Sequence, residues 1–297
     1  MNFAARPLKD FTVSLSISAG KETSTLGFTA PEVNRTTLRI VAALIGQGAG
    51  IAFGHDWRDD GVMESVHAVV ERFHAPIREP HRKPLLINLV VWPDKPHFGE
   101  RERHRLKETL DIEEVALPPS LSNYTEDRDP ARYPYLRSRA LTYLRRRLTI
   151  LSNARICLGG KLSGYSGRYP GIVEEAYLAI RAGQPTFIAG VLGGAARQMI
   201  SSLTKCNSPN DLCPDVPIAK LYRDPPIYEH RHENNEDSQW SPEVVWETFA
   251  SIELRGLSAK NKLSIDENRQ LFNTQSVDEA IELILTGLGR LAQQKAD

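Results

Sequence analysis

Cysteine is scarce in this chain: Cys157, Cys206 and Cys213 are the three present in 297 residues, too few and too scattered for a disulfide framework. Cys206 and Cys213 flank a Ser-Pro-Asn-Asp loop with no histidine nearby, so no metal site is expected there. Cys157 lies in an apolar run and reads as a small buried hydrophobe. Net charge is also lacking, since Lys+Arg and Asp+Glu are both 37. That balance excludes a nucleic-acid coat or a membrane-surface protein, both of which rely on positive charge, and makes nucleic acid an unlikely partner. No apolar run approaches the ~18 residues needed to span a bilayer, and the first residues have no secretory pattern, so no membrane association and a cytoplasmic location are expected. Internal repeats and convincing linkers are missing too, so residues 1–297 read as a single domain. At 41% hydrophobic and 25% charged, the chain has the composition of a globular protein with a substantial core.

What is present is a repeated alternation of strand, small-residue turn and helix. Residues 11–18 (FTVSLSIS) alternate as a strand does and run into Ala19-Gly20. A helix follows from about Thr29-Ala30-Pro31-Glu32, with Leu38, Val41, Ala42 and Ile45 as its apolar stripe. Residues 50–54 (GIAFG) form a second strand, and Val66, Val69, Val70 and Phe73 mark the next helix. Between them lies a loop dense in functional side chains: His55, Asp56, Trp57, Arg58, Asp59, Asp60 and Gly61. Residues 84–92 (PLLINLVVW) read as a strand buried on both faces. From about 93 to 132 proline and charge dominate, which predicts an irregular insertion with a short helix near 99–109. A helix is expected over 135–152, rich in arginine, and C-terminal helices over about 242–297.

The densest signal runs from Ala154 to Ile188. A buried strand, ARICL, ends at Gly159-Gly160; a polar, glycine-rich loop follows; Gly171-Ile172-Val173-Glu174-Glu175 opens a helix; and TFIA begins another strand. Glycines let the backbone approach a ligand, and the free N–H groups of a first helical turn favour an anion. Lys161 and Arg168 add charge, while Glu174 and Glu175 are placed for ribose hydroxyls or acid/base work. A further glycine turn, Gly193-Gly194, precedes a helix carrying Arg197. Strand ends of this kind converge at one edge of an α/β sheet. The expected fold is therefore α/β, a Rossmann-like doubly wound, mostly parallel sheet with helices on both faces. The expected ligand residues are Ser18, Gly20, Gly54, His55, Arg58, Asp59, Gly61, Gly159, Gly160, Lys161, Arg168, Gly171, Glu174, Glu175, Gly193 and Gly194.

The stretch GG, polar loop, PGIVEEA resembles a lengthened PGGxGTxxE signature of the LONELY GUY (LOG) phosphoribohydrolases. Gly171 and Glu175 fall on its G and E, Ile172 replaces the Thr, and SNARICLGG resembles the strand before that motif. Gly61-Val62-Met63 resembles a second helix opening of the same superfamily, although Gly54-His55-Asp56 stands where that family has GGG. From about Phe11 to Leu291 the chain is similar to SLOG-superfamily proteins (Smf/DprA–LOG), nearest to the prokaryotic relatives of the SLOG domain of melastatin-type TRP channels (LSDAT-like). In LOG enzymes an arginine on the preceding helix serves the site, and Arg139 and Arg145 are the candidates here.

The resemblance implies a sensor of a nucleotide-derived signal (NAD or ADP-ribose type, or a cyclic nucleotide) acting in a prokaryotic defence or conflict system. It also implies a homo-oligomer, a separate effector or signal-producing protein, and no required cofactor. Phe53 and Trp57 are candidate base-stacking surfaces. The alternative is a LOG-type nucleotide N-glycosidase with Glu175 as the catalytic carboxylate; the lengthened loop after Gly160 departs from that pattern.

Overall fold

In the computed structural model, residues 6–54, 61–74, 85–94, 104, 106–127, 129–204, 221 and 240–296 are described. They build a six-stranded, all-parallel sheet: β1 (Thr12–Ser18), β2 (Gly50–Gly54), β3 (Leu86–Val91), β4 (Leu110–Val115), β5 (Ala154–Gly159) and β6 (Thr186–Ala189). Their order across the sheet is β4-β3-β2-β1-β5-β6. The chain steps outward from β1 to β4, then crosses back to lay β5 on the other side of β1. That reversal makes the β1/β5 boundary the topological switch point. There Ser14 pairs with Arg155, Ser16 with Cys157 and Ser18 with Gly159.

The strand over 110–115 corrects the expectation of an irregular insertion. LDIEEV carries three acids among six residues, which masks its strand character. It is an edge strand, and an edge tolerates outward charge because one flank faces water. Glu113, for instance, takes both Nε (2.6 Å) and Nη2 (3.1 Å) of Arg147. The short helix expected near 99–109 falls mostly outside the described residues.

The helices are α1 (Lys21–Thr25), α2 (Ala30–Gly46), α3 (Met63–His74), α4 (Tyr133–Leu151), α5 (Gly171–Arg181), α6 (Gly194–Thr204), α7 (Pro242–Asn261), α8 (Ile265–Asn273) and α9 (Val277–Ala296). Local chemistry sets their ends. Thr29 begins α2 with Pro31 in the first turn and Glu32 reaching back to the Thr29 N–H (2.6 Å). Ser264 and Glu267 form the same reciprocal cap on α8. Glu253, at φ 50°, breaks the helical run inside α7.

Strand alternation sorts the core into two faces. Val13, Leu15, Ile51, Phe53, Leu86, Ile156 and Leu158 point to α2, α3 and α9. On the opposite face α4 covers Ala52, Leu89 and Val91, while α5, α6 and α7 cover Cys157 and Ile188. These two apolar clusters do not merge. Between them, under the α4/α5 pair, Ser14, Ser16 and Arg155 project from β1 and β5 into a polar seam, all buried.

The C-terminal helices close one flank. The Gly190 N–H donates to Leu271 O (3.2 Å) and Arg197 to Phe272 O (2.9 Å), so the last turn of α8 seats on the carboxyl end of β6. Asn261 and Asn268, both fully buried, join α7 and α8 to Thr186 O of β6.

Candidate functional site

At the switch point three backbone turns press together. Gly160 N donates to Ser18 O (2.8 Å), and Ala195 N donates to Gly160 O (3.1 Å). A Cβ on Gly20 would stand 2.6 Å from Gly160 O, and one on Gly159 2.5 Å from Ser18 O. A Cβ on Gly194 would also come inside 3.0 Å of Gly160 O, closer than real Cβ atoms come. Gly159 and Gly160 both have positive φ (67° and 100°), as do Gly193 and Gly194 (64° and 60°). The structure thus brings Ser18, Gly20, Gly159, Gly160, Gly193 and Gly194 into one cluster at the carboxyl ends of β1 and β5.

Other predicted residues are placed differently. Gly54 packs beneath Leu144 and Leu148 of α4, and Gly61 precedes α3. Lys161 is exposed, and Arg168 is buried. His55, Trp57, Arg58 and Asp59 lie outside the described residues, as do Cys206 and Cys213. Phe53 does not serve as a stacking surface: alternation turns it into the core against α2 and α3, leaving it 5% exposed.

Gly171 belongs to the seam. Its position, like that of Gly167, lies against the guanidinium of Arg145, 2.8 Å from where a Cβ would sit in each case. Of the two candidate helix arginines, Arg145 is thus shown to meet the glycine-rich loop. It pairs with Glu174 Oε2, and its Nε lies 3.5 Å from Glu175 Oε1. Thr142 Oγ1 donates to Glu174 Oε1 (2.7 Å), so both oxygens of this fully buried carboxylate are held by the protein. Glu174 is thus closed to a ribose, contrary to the expectation from its place in the first turn. Burial pushes its carboxyl above the usual carboxylate range, and the charge of Arg145, the Thr142 hydroxyl and Arg168 pull back only in part.

Glu175 is held from the strands. Its Oε2 accepts from the Ser16 hydroxyl and from Arg155 Nη1 (3.0 Å), while Arg155 also donates to Ser16 Oγ (3.0 Å) and Thr149 Oγ1 (3.2 Å). Its side chain is 15% exposed, so of the two acids Glu175 is the one that touches solvent. The seam gathers three arginines (Arg145, Arg155, Arg168) against two glutamates. It can position the loop rigidly and hold positive charge near the start of α5. Burial pushes the Cys157 thiol up to about 12, which rules out a thiolate nucleophile at neutral pH.

Sequence reasoning missed Ser16, Thr142, Arg155 and Glu22. A signal existed for two of them. Central strands of a doubly wound sheet should be apolar on both faces, and Ser16 and Arg155 break that rule on adjacent strands. Thr142 and Glu22 carry no such mark, because only the tertiary packing gives them partners or removes them from water. Among the described residues, no group of three or more His, Cys, Asp or Glu is placed to hold a metal ion, and no helix is long and apolar enough to cross a membrane.

Comparison with known families finds a match to the family described as SLOG cluster2, over residues 7–271. No curated protein matches the chain.

Proposed function

Because the chain belongs to the SLOG cluster2 family, we propose that it binds a nucleotide-derived small molecule at the β1/β5 crevice and acts as a sensor. The observation that carries this reading is the state of the acid pair. Glu174 is fully buried between Thr142 and Arg145, and Glu175 is gripped by Ser16 and Arg155. A carboxylate that must accept a proton or stabilise a developing oxocarbenium works best when free to face the reacting carbon. Here both are used to brace the loop between Gly160 and Gly171. The glycine turns let a ligand approach the backbone at the carboxyl ends of β1 and β5, and the arginines beside the glycine-rich loop favour a phosphate-bearing ligand of the NAD, ADP-ribose or cyclic-nucleotide class. Output then passes to a separate effector, in keeping with a role in prokaryotic defence, and the binding unit is a homo-oligomer.

The second reading, a LOG-type N-glycosidase, is favoured by the partial exposure of Glu175 (15%) beside two arginines. One pair of measurements separates the two. A thermal-shift screen with NAD, ADP-ribose, cyclic ADP-ribose, cyclic dinucleotides and nucleoside monophosphates should show a hit, with about 2.7 kcal/mol of stabilisation at a hundred times Kd. Incubation of the same protein with AMP-type nucleotides should release no free base. Base release at several turnovers per minute, lost in Glu175→Gln with affinity kept, would establish the hydrolase instead.

A further inference from the structure

Glu22 stands two residues beyond the turn that ends β1, and its carboxylate folds back over that turn. Its Oε2 lies 3.1 Å from the point a Cβ on Gly20 would occupy, and the Gly160 carbonyl oxygen lies 2.6 Å from the same point. Two acceptors therefore converge on the Gly20 turn at the carboxyl end of β1, packed too closely for any side chain there. Glu22 Oε2 is buried and receives no hydrogen bond from the described residues. Three donors close by in the chain are committed elsewhere. Gly20 N donates to Thr23 Oγ1 (3.0 Å), Thr23 Oγ1 to Leu192 O (3.1 Å), and Thr25 Oγ1 to the backbone oxygen of Glu22 (2.7 Å).

A carboxylate oxygen withdrawn from water without a donor weakens the fold, and unmet groups of this kind in a native protein call for a functional explanation. Acceptor oxygens gather on this side of the switch point, at Glu22 and Gly160. A phosphate, which at neutral pH offers almost only acceptor oxygens, is repelled there, whereas hydroxyl donors are not.

We propose that Glu22 is a specificity-determining residue: it accepts hydrogen bonds from the free hydroxyl pair of a ribose and rejects a ribose phosphorylated there. This rests on the nucleotide-binding reading above. Selection of this kind is strong because the wrong ligand leaves the buried carboxylate oxygen unanswered and adds a like charge beside it.

The test is calorimetric titration of the full-length protein with ADP-ribose and its 2′-phosphorylated form, and with NAD and NADP. Wild type should bind the unphosphorylated member of a pair at least about tenfold more tightly, the scale of one hydrogen bond to a charged group. Glu22→Ala should lose about tenfold or more in affinity for the unphosphorylated ligand and most of the discrimination. Glu22→Gln, which keeps an acceptor but drops the charge, should recover part of the binding to the phosphorylated one. The melting temperature of the ligand-free Glu22→Ala protein should equal or exceed that of wild type, since an unanswered carboxylate is removed. Unchanged binding in Glu22→Ala, or a lowered melting temperature without ligand, would overturn the assignment while leaving the nucleotide reading intact. If wild type binds none of the four probes, the role assigned to Glu22 fails, and the nucleotide reading itself is decided by the wider thermal-shift screen.

Discussion

Gly194→Ala tests the close packing of turns at the switch point, and Gly164→Ala is its internal control. Both glycines are in the left-handed region, at φ 60° and 69°. A side chain there carries a conformational penalty of roughly 1–2 kcal/mol. At Gly164 nothing lies within 4 Å of an added Cβ, so that penalty stands alone, partly offset by the reduced freedom of the unfolded chain. At Gly194 the added methyl would fall inside 3.0 Å of Gly160 O and lie 3.1 Å from Gly159 C. These are backbone atoms that cannot rotate away, and overpacking of this sort costs about 1–3 kcal/mol more. The expected losses are therefore about 1 kcal/mol at Gly164 and about 2–5 kcal/mol at Gly194. For a chain of this size the second corresponds to a fall in melting temperature of roughly 3–8 °C. Scanning calorimetry of both variants is the measurement. Equal small shifts would mean that the turns are not in contact, and the account of the crevice would fall with them.

Other consequences can be checked by similar means. Arg145→Met leaves Glu174 buried without its cation and should destabilise by about 3–5 kcal/mol at neutral pH. Because Glu174 already titrates above its unfolded value of 4.5, its folded form favours the proton, and stability falls as pH rises through the folded pKa. The Arg145→Met deficit should accordingly grow as pH rises past the wild-type folded pKa of Glu174, which lies above 4.5, and urea melts giving a pH-independent deficit would contradict this. Hydrogen bonds from Arg290 hold Glu267 down to about 2, a stabilisation present above 4.5 and lost as pH falls through about 2. With Arg290 44% exposed, this pair should contribute under about 1 kcal/mol and weaken in salt, and NMR titration should find the Glu267 midpoint below the usual carboxylate range and rising toward it as salt is added. Asn268→Ala removes donors to Ser258 Oγ and Ser264 O and strands the buried Asn261, so a loss of about 2–3 kcal/mol is expected in denaturant melts.

Much of the fold was legible because it depends on local rules. The period of apolar residues, the cap Thr29 with Glu32, and the glycines after β1 and β5 each act within a few residues, and they place five of the six strands and the helices over 30–46, 133–151 and 171–181. The family resemblance drew on the same local text, Gly159-Gly160 followed by Gly171 and Glu175. What the sequence left open depends on residues far apart along the chain. The strand over 110–115 is hidden by its own acids, and only its neighbour β3 makes it a strand. Glu174 and Glu175 look equivalent in sequence, yet a rotation of about 100° per helical residue sends one fully under α4 and leaves the other at the solvent edge. Arg155 reads as a stray charge in a core strand until Ser16, from 139 positions away, and Glu175 close around it. Sequence determined where glycine must stand, because backbone geometry is local. The tertiary structure decided which polar atoms the described residues answer and which, like Glu22 Oε2, they do not, because desolvation and hydrogen bonding are settled only when distant segments meet.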